Sequence, residues 1–244
     1  MFFAGLGFIV TYPVFNKAPT CFDYKQNGDE KGVDCGGSCE VACLSEVTPL
    51  SVVWARSFKV VAGRYNAVAY LVNHNKNKVV DKISYKFRFA DQDNIYIGKR
   101  EGTAFVPAGS TFAIFEPGIE MGNSVPVYTT FEFTQAPLWH VVSDKKLNQL
   151  KILISNIVLE NENTSPKLSA TLKNESIFTI PNLGAVAILY DGAGNAISAS
   201  RTYVSDFSPL QQVQVNFTWP EPFSTAVVAK EILPSYDVDS VKLQ

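Results

Sequence analysis

The sequence predicts an all-β protein in which two similar β-sandwiches follow a short cysteine-rich segment. Most of the chain after residue 46 consists of short stretches rich in Val, Ile, Thr, Phe and Tyr, separated by turn residues, and helical periodicity is weak. Similar stretches recur roughly one hundred residues apart. All four cysteines lie in one window near the N-terminus. Together these features indicate a duplicated β fold preceded by a separately stabilised segment.

The composition is that of a folded protein with no affinity for nucleic acid. Of the 244 residues, 46% are hydrophobic and 12% aromatic, and only 18% are charged, which provides for packed cores and argues against disorder. The 21 Lys and Arg residues nearly balance the 23 Asp and Glu residues, for a formal net charge of -2. No basic stripe is present of the kind that phosphate neutralisation requires, so we expect no nucleic-acid partner.

Residues 1–17 form a hydrophobic N-terminal segment whose first fifteen residues are uncharged. A membrane-spanning helix needs about 20 apolar residues, and a secretory signal begins with a positively charged region, so neither pattern fits fully. We interpret the segment as an anchor or signal whose upstream part is missing from this reading frame. We therefore expect a single N-terminal anchor in the cell membrane and an extracytoplasmic body. The alternative is a buried first strand, for which these residue types are suitable.

Residues 18–46 contain every cysteine of the chain, at Cys21, Cys35, Cys39 and Cys43. An even number of cysteines in a polar, glycine-rich segment without a core of its own predicts a disulfide knot formed under oxidising conditions. The alternative is a zinc site of four thiolates, although the paired C-x2-C sequences of common zinc modules are absent. Four cysteines allow three disulfide connectivities, and the sequence does not choose between them.

The same segment carries a candidate calcium site. Five oxygen-bearing side chains fall within twelve positions, and calcium prefers oxygen ligands supplied by flexible loops. The candidate ligands are Asp23, Asn27, Asp29, Glu30 and Asp34. Their spacing is not that of an EF-hand, and the alternative is that these acids are simply solvated. Apart from this candidate calcium site, no cofactor is expected.

The predicted strands fall into two groups, in residues 47–143 and 144–244. Tyr85–Phe89 alternates strictly between apolar and charged residues, which predicts one buried face. The first group comprises Val60–Val72, Val79–Phe89, Ile95–Lys99, Thr111–Phe115 and Val127–Phe133. The second comprises Leu150–Leu159, Lys167–Lys173, Gly184–Tyr190, Ala196–Ser200, Val213–Trp219 and Ala226–Ile232.

The two groups can be aligned with each other. Phe87–Asn94 corresponds to Ala187–Asn195, and upstream Val72–Asn75 is aligned with Leu172–Glu175. In each copy a strand ends in Asp, a Gly or Asn turn follows and a second strand begins, as in a hairpin. Asp191 is therefore interpreted as a turn residue. The repeat length fits two tandem immunoglobulin-like β-sandwiches.

A polar linker is expected between the two domains at Ser143–Lys146.

Two parts of the sequence resemble known families. The run CFDYKQNGDEKGVDCGGSC resembles a short cysteine motif of many bacterial surface proteins, from which it departs at Tyr24, where Gly is usual. The runs LSATLKNES, AVAILYDGAGNAISASRTYVSDFSPL and VQVNFTW, within Leu168–Trp219, resemble the FxLYD-type β-sandwich of bacterial and archaeal envelope proteins. The first copy has FRFAD in place of that signature. The resemblance implies an extracytoplasmic module of a surface protein and brings no catalytic residues.

Sequence motifs of catalysis are not found. The two histidines, His74 and His140, lie in polar or junction segments and are expected to have no partner. Neither a G-x-S-x-G elbow nor an H-E-x-x-H pair is present, and GAGN at Gly192–Asn195 links two strands instead of preceding a helix as a phosphate loop does. We therefore expect that the protein is not an enzyme.

The expected function is that of a membrane-tethered cell-envelope protein with a structural, spacer or protein-interaction role, whose partners are other envelope proteins. The alternative is an extracytoplasmic receptor for a carbohydrate or small solute, with its site in the inter-domain cleft or at the loop ends. An exposed aromatic cluster would favour the receptor. Trp54, Trp139 and Trp219 are instead expected to fill the space between sheets.

Overall fold

The computed structural model describes residues 20–243, so the predicted anchor or signal segment at residues 1–17 lies outside the described residues. The chain divides into two compact units, Met1–Val47 and Thr48–Gln244. Apart from one short helix and one 3-10 turn, Leu44–Glu46, the regular structure of the described part is β-strand, as predicted. The described residues include no helix of the length and hydrophobicity needed to cross a membrane.

The larger unit contains fourteen described strands and the helix α1, Asp144–Gln149. Sandwich 1 comprises β1 Ser51–Val61, β2 Arg64–Val72, β3 Lys78–Ala90, β4 Tyr96–Val106, β5 Thr111–Glu120, β6 Tyr128–Phe133 and β7 His140–Val141. Sandwich 2 comprises β8 Ile152–Glu160, β9 Lys167–Asn174, β10 Phe178–Tyr190, β11 Ala196–Phe207, β12 Gln212–Thr218, β13 Ala229–Ser235 and β14 Lys242–Leu243.

The second set of seven strands repeats the pairing of the first. Sandwich 1 has the sheets β1-β2-β5 and β4-β3-β6, and β7 pairs with the start of β3. Sandwich 2 has β8-β9-β12 and β11-β10-β13, and β14 pairs with the start of β10. All of these pairs are antiparallel. The expected fold class, two tandem immunoglobulin-like β-sandwiches, is confirmed.

One predicted strand is wrong. Val60–Val72 is interrupted by a hairpin turn, because β1 ends at Val61 and β2 begins at Arg64. The turn is only two residues long and lies between two apolar runs, so the sequence pattern did not reveal it. The polar segment Ser143–Lys146 lies between β7 and β8 and begins α1, where the Ser143 hydroxyl accepts a hydrogen bond from the Lys146 amide at 3.3 Å.

The Asp turns of the two copies have the same hydrogen bonds. Asp191 Oδ1 accepts from the amides of Ala193 and Asn195 at 2.9 and 2.8 Å. Asp91 Oδ1 accepts from the corresponding amides two and four residues further on, at 3.0 and 2.9 Å. This is the expected Asp turn of a tight hairpin, so the turn role of Asp191 is confirmed.

A buried asparagine follows the second strand of each sandwich and corrects the expected alignment by one residue. The Asn73 amide donates to the carbonyls of Lys78 and Pro107, both at 2.8 Å. Asn174 donates in the same way to Phe178 and Phe207, also at 2.8 Å. Asn73 therefore corresponds to Asn174. Each side chain satisfies carbonyls that the sheet leaves unpaired, which keeps buried polar atoms hydrogen-bonded.

Each sandwich has its own core between its two sheets. In sandwich 1 the core is aromatic: Phe87 and Phe89 are buried, and the rings of Phe87 and Phe131 lie 5.0 Å apart, edge to face. In sandwich 2 it is mostly aliphatic, built on alternate residues of β9 and β10. Buried members from these two strands are Leu168, Ala170, Leu172, Phe178, Ile180, Leu183, Ala185, Ala187 and Leu189.

A third apolar cluster joins the two sandwiches, and we call it the seam. It forms where the outer face of β1-β2-β5 meets the outer face of β11-β10-β13. Its buried residues are Phe58, Val68, Phe115, Val186, Ile188, Ala196, Ala199 and Leu233. The four sheets therefore stack in one compact unit, in which β2 and β10 are covered on both faces.

The strand sequences explain which faces meet. In β3 the outward residues are Lys86 and Arg88, so this face is suited to water. At the corresponding positions β10 has Val186 and Ile188, which are 3% and 0% exposed. A strand that is apolar on both sides needs cover on both faces. At the seam, sheet β1-β2-β5 covers the outward face of β10.

Glu231 joins the two sandwiches through hydrogen bonds beside the seam. Its carboxylate accepts from the Tyr70 hydroxyl of sandwich 1 at 3.0 Å and from the Tyr190 hydroxyl of sandwich 2 at 2.7 Å. Burial, followed by the charge of Glu231, raises the pKa of Tyr70 to about 12. The pKa of Tyr190 is raised as well, by burial and by its hydrogen bond to Glu231. Both phenols therefore stay neutral donors near neutral pH.

We expect Ile188→Arg to lower the free energy of unfolding by at least about 3 kcal/mol, because it places an unpaired charge in the seam. The matched control is Arg88→Ile at the corresponding exposed position, which should change stability by about 0.5 kcal/mol or less. Urea unfolding followed by circular dichroism measures both. Equal effects of the two substitutions would contradict a buried seam.

Candidate functional site

The four cysteines form two interlocked disulfides, Cys21–Cys39 and Cys35–Cys43. The loop closed by the first contains Cys35, and the loop closed by the second contains Cys39. No cysteine is free, which confirms the predicted disulfide knot over the zinc alternative. Crosslinks of this kind restrict the unfolded chain and stabilise a segment that is too small for a hydrophobic core.

The five predicted calcium ligands lie in this segment, where their oxygens mostly accept local hydrogen bonds. Asp34 accepts from the amides of Asp23 and Tyr24, at 3.0 Å in each case. Asp23 accepts from the Asn27 side chain at 2.9 Å, and Glu30 from the Asn27 amide at 3.1 Å.

The remaining predicted ligand, Asp29, accepts from the Ser38 hydroxyl at 2.7 Å. Among the described residues, no three of the four predicted acids converge on one point. Glu30 lies near Cys21 and Cys39, but both sulfurs are tied in a disulfide and offer no thiolate. Calcium binding by this segment stays a prediction.

The backbone of the segment explains two of its residue choices. A Cβ on Gly37, whose φ is +63°, would collide with the Asp29 carbonyl oxygen, so only glycine fits there. Tyr24 adopts φ +59°, the left-handed region that favours glycine. Its amide is held by Asp34, which offsets the strain of a bulky residue in this conformation.

A groove of about 240 Å³ runs along one end of the seam. Residues of β3, β4 and β5 line one side, and residues of β10, β11 and the end of β13 line the other. Gly184 is one of its lining residues, in the row of outward residues that includes Val186, and the absence of a side chain there leaves space between the sheets. The groove is where the predicted inter-domain cleft is found.

Arg201 provides the positive charge of this groove. Its guanidinium donates to the Phe115 carbonyl at 3.0 Å and lies over the rings of Phe115 and Tyr203, at 5.2 and 4.9 Å from their centroids. Such cation–π contacts keep the Arg201 guanidinium against the two rings. The Tyr203 side chain is 60% exposed, so an aromatic face and a cation lie together at the groove mouth.

A second polar group lies behind the groove wall. The Tyr85 hydroxyl donates to Glu116 Oε1 at 2.6 Å, and Arg100 Nε donates to Glu116 Oε2 at 2.8 Å. Burial and this hydrogen bond raise the pKa of Tyr85. A Cβ on Gly102 would lie 2.5 Å from the Tyr85 hydroxyl, so glycine is needed there for the contact to form. Because the charges are satisfied internally, we assign this network a structural role.

The expectation that neither histidine has a partner is wrong for His140. Its Nε2 lies 2.7 Å from Asp239 Oδ2 and 3.3 Å from Asp81 Oδ1. His74 Nε2 is 3.4 Å from the Ser51 hydroxyl, a long contact at an exposed position. Asp81 and Asp239 are distant from His140 in the sequence, and the strand pairing that brings them together left no signal in a local motif.

Trp139 and Trp219 occupy the interior, as expected, whereas Trp54 is only partly buried. Trp139 and Trp219 are 2% and 6% exposed, and Trp54 stacks on Tyr70 at 5.2 Å beside the seam. Exposed aromatics occur elsewhere: Tyr96 and Tyr128 are 59% and 51% exposed. They flank Ala90 on neighbouring strands at one end of sandwich 1.

Comparisons with known proteins do not identify a family. No protein-family model matches the sequence, and no curated protein matches it. Among solved structures, a red sea bream transglutaminase is 12% identical over 79% of this chain and 29% of its own, with a TM-score of 0.25. A β-glucuronidase from glycoside hydrolase family 2 is 12% identical over 71% of this chain and 24% of its own, with a TM-score of 0.25.

The tandem CBM22-1-CBM22-2 domains of Paenibacillus barcinonensis Xyn10C are 8% identical over 83% of this chain and 91% of their own, with a TM-score of 0.18. The chain thus spans less than a third of the transglutaminase and of the glucuronidase. Similarities at these TM-scores carry no argument about function.

We expect Asp34→Asn to speed the reduction of the two disulfides by dithiothreitol several-fold in calcium-free buffer, because it weakens the charge-assisted bonds to two amides. Asp29→Asn is the control, since Asp29 accepts one bond at an exposed site. Alkylation and mass analysis follow the reaction. If calcium slows reduction of the original protein and not of the Asp34 variant, the carboxylates hold an ion and the local hydrogen bonds are not their main role.

Proposed function

We propose that this chain is a non-catalytic cell-envelope protein, tethered to the membrane through its N-terminal segment, with a structural, spacer or protein-interaction role. The observation that carries the proposal is the seam. Opening the two sandwiches about a hinge would expose Phe58, Phe115 and Ile188, which are each at most 6% exposed. Exposing that much apolar surface is costly, so the pair of sandwiches is suited to hold a fixed distance and orientation.

The cysteine segment supports the proposed location. Interlocked disulfides persist in oxidising compartments and are rare in a reducing cytosol. The segment directly follows the apolar N-terminal stretch in the sequence. An exported, disulfide-stabilised segment between a membrane tether and a rigid β body is consistent with a spacer.

An exposed apolar patch supports the interaction role and the expected partners, other envelope proteins. The patch lies at the end of sandwich 1, around Tyr96 and Tyr128, where its exposed fractions are between 51% and 61%. Its members are Ile95, Tyr96, Val125, Val127 and Tyr128. Clustered exposed apolar residues are typical of surfaces that bind another protein or a ligand.

The groove favours a second candidate function, an extracytoplasmic receptor for a small solute. Arg201 and the exposed ring of Tyr203 together are suited to a carboxylate attached to a flat or ring-shaped body, such as an acidic sugar. In this role the groove would bind its ligand without a hinge motion, because the seam fixes its two walls. Unlike the structural role, the receptor function requires a ligand that binds saturably.

The first proposal is tested by labelling thiols in membranes of the cells that produce the protein. We expect the chain in the membrane fraction, with all four cysteines protected from maleimide until dithiothreitol is added. The added label should then correspond to four thiols. Four reactive thiols before reduction, in a soluble cytosolic protein, would contradict both the location and the tether.

The receptor is tested by titrating glucuronate, with neutral glucose for comparison, and following amide chemical shifts. We expect Arg201→Gln to weaken glucuronate binding at least about tenfold, because a hydrogen bond to a charged group is lost. Tyr203→Ala should weaken it as well, and Arg88→Gln, at an exposed position outside the groove, should not. If glucuronate does not bind the original protein at millimolar concentration, this function is wrong for acidic sugars.

A further inference from the structure

We propose that Asp81, His140 and Asp239 form a site for a divalent transition-metal ion such as zinc, which braces sandwich 1 to the C-terminal segment of sandwich 2. The site is separate from the groove and from the cysteine segment. It does not depend on the function proposed above.

The three side chains come from three parts of the fold. Asp81 lies on β3 and His140 on β7, which pairs with β3 through Val79. Asp239 lies between β13 and β14. One ligand atom from each residue lies within 4.8 Å of the other two. His140 Nε2 is central, at 2.7 Å from Asp239 Oδ2 and 3.3 Å from Asp81 Oδ1.

The chemistry of this set suits a first-row transition metal. An imidazole nitrogen favours zinc and its neighbours over calcium or magnesium, and carboxylates complete a mixed nitrogen and oxygen set. Three protein ligands with an open side are typical of zinc sites that keep a water molecule in the fourth position. The side chains of Asp81 and Asp239 are 61% and 46% exposed, so an ion can reach them from solvent.

The electrostatics of the cluster also favour a cation. Lys146 Nζ lies 3.7 Å from Asp239 Oδ1 and partly neutralises the cluster. A bound divalent ion would compensate these carboxylates more fully, and Lys146 would compete with it.

A metal at this point would tie together residues 81, 140 and 239, which belong to both sandwiches. Because the ion would bind the folded arrangement and not the dispersed ligands of the unfolded chain, it would stabilise the larger unit. The ion would then connect the two sandwiches at a second place, in addition to the apolar contact of the seam.

The test is calorimetric titration of the whole chain with zinc, after treatment with a chelator. We expect one saturable zinc per chain and a rise in melting temperature. His140→Ala should weaken binding at least tenfold and abolish the rise. His74→Ala is the matched control and should change neither, since His74 is the other histidine and lies outside the cluster.

Lys146→Met provides an independent readout that leaves all three ligands in place. Removing the competing charge should tighten zinc binding several-fold, an effect that a purely structural salt bridge would not produce. Circular dichroism checks that each variant is folded. The proposal is overturned if the original protein shows no saturable binding, if His140→Ala binds as tightly, or if Lys146→Met binds zinc less tightly.

Discussion

The architecture depends largely on the seam, the apolar contact between sheet β1-β2-β5 and sheet β11-β10-β13. Strands β2 and β10 each lie at the centre of a three-stranded arrangement and are apolar on both faces. One face is covered within each sandwich, and the other can be removed from water only by the neighbouring sandwich. The seam therefore converts two small β domains into a single compact unit, Thr48–Gln244, and determines where the groove forms.

The two sandwiches have the same strand arrangement but different residues on their outer faces, which makes the larger unit asymmetric. The two sandwiches share their strand pairing, their Asp turns and their buried asparagines, Asn73 and Asn174. They differ where Lys86 and Arg88 of one copy correspond to Val186 and Ile188 of the other. Salt bridges at the charged face, such as Lys86–Glu132 at 2.8 Å, keep it suited to solvent. Only one copy has an apolar outer face on this sheet, and that face is the one that packs against the other sandwich at the seam.

The charged side chains in and around the two sandwiches fall into two kinds. Glu116 and Glu231 have their carboxylate oxygens taken by tyrosine hydroxyls or an arginine, and they hold the fold. Arg201 and the carboxylates around His140 face the open surface and retain capacity for a ligand or an ion. A charged group whose hydrogen-bond partners are supplied within the fold is therefore assigned a structural role. A charged group that faces solvent is a candidate for binding.

Local pattern and composition were enough to predict the fold class, the turn role of Asp191, the disulfide state of the four cysteines and the interior position of Trp139 and Trp219. These are properties of local pattern and composition: alternation along a strand, a turn after Asp, and cysteines in a segment without a core. The disulfide connectivity, the seam and the cluster of Asp81, His140 and Asp239 were decided only by the tertiary structure. Each of them joins residues that are separated along the chain, and no local pattern records which distant partner a side chain meets.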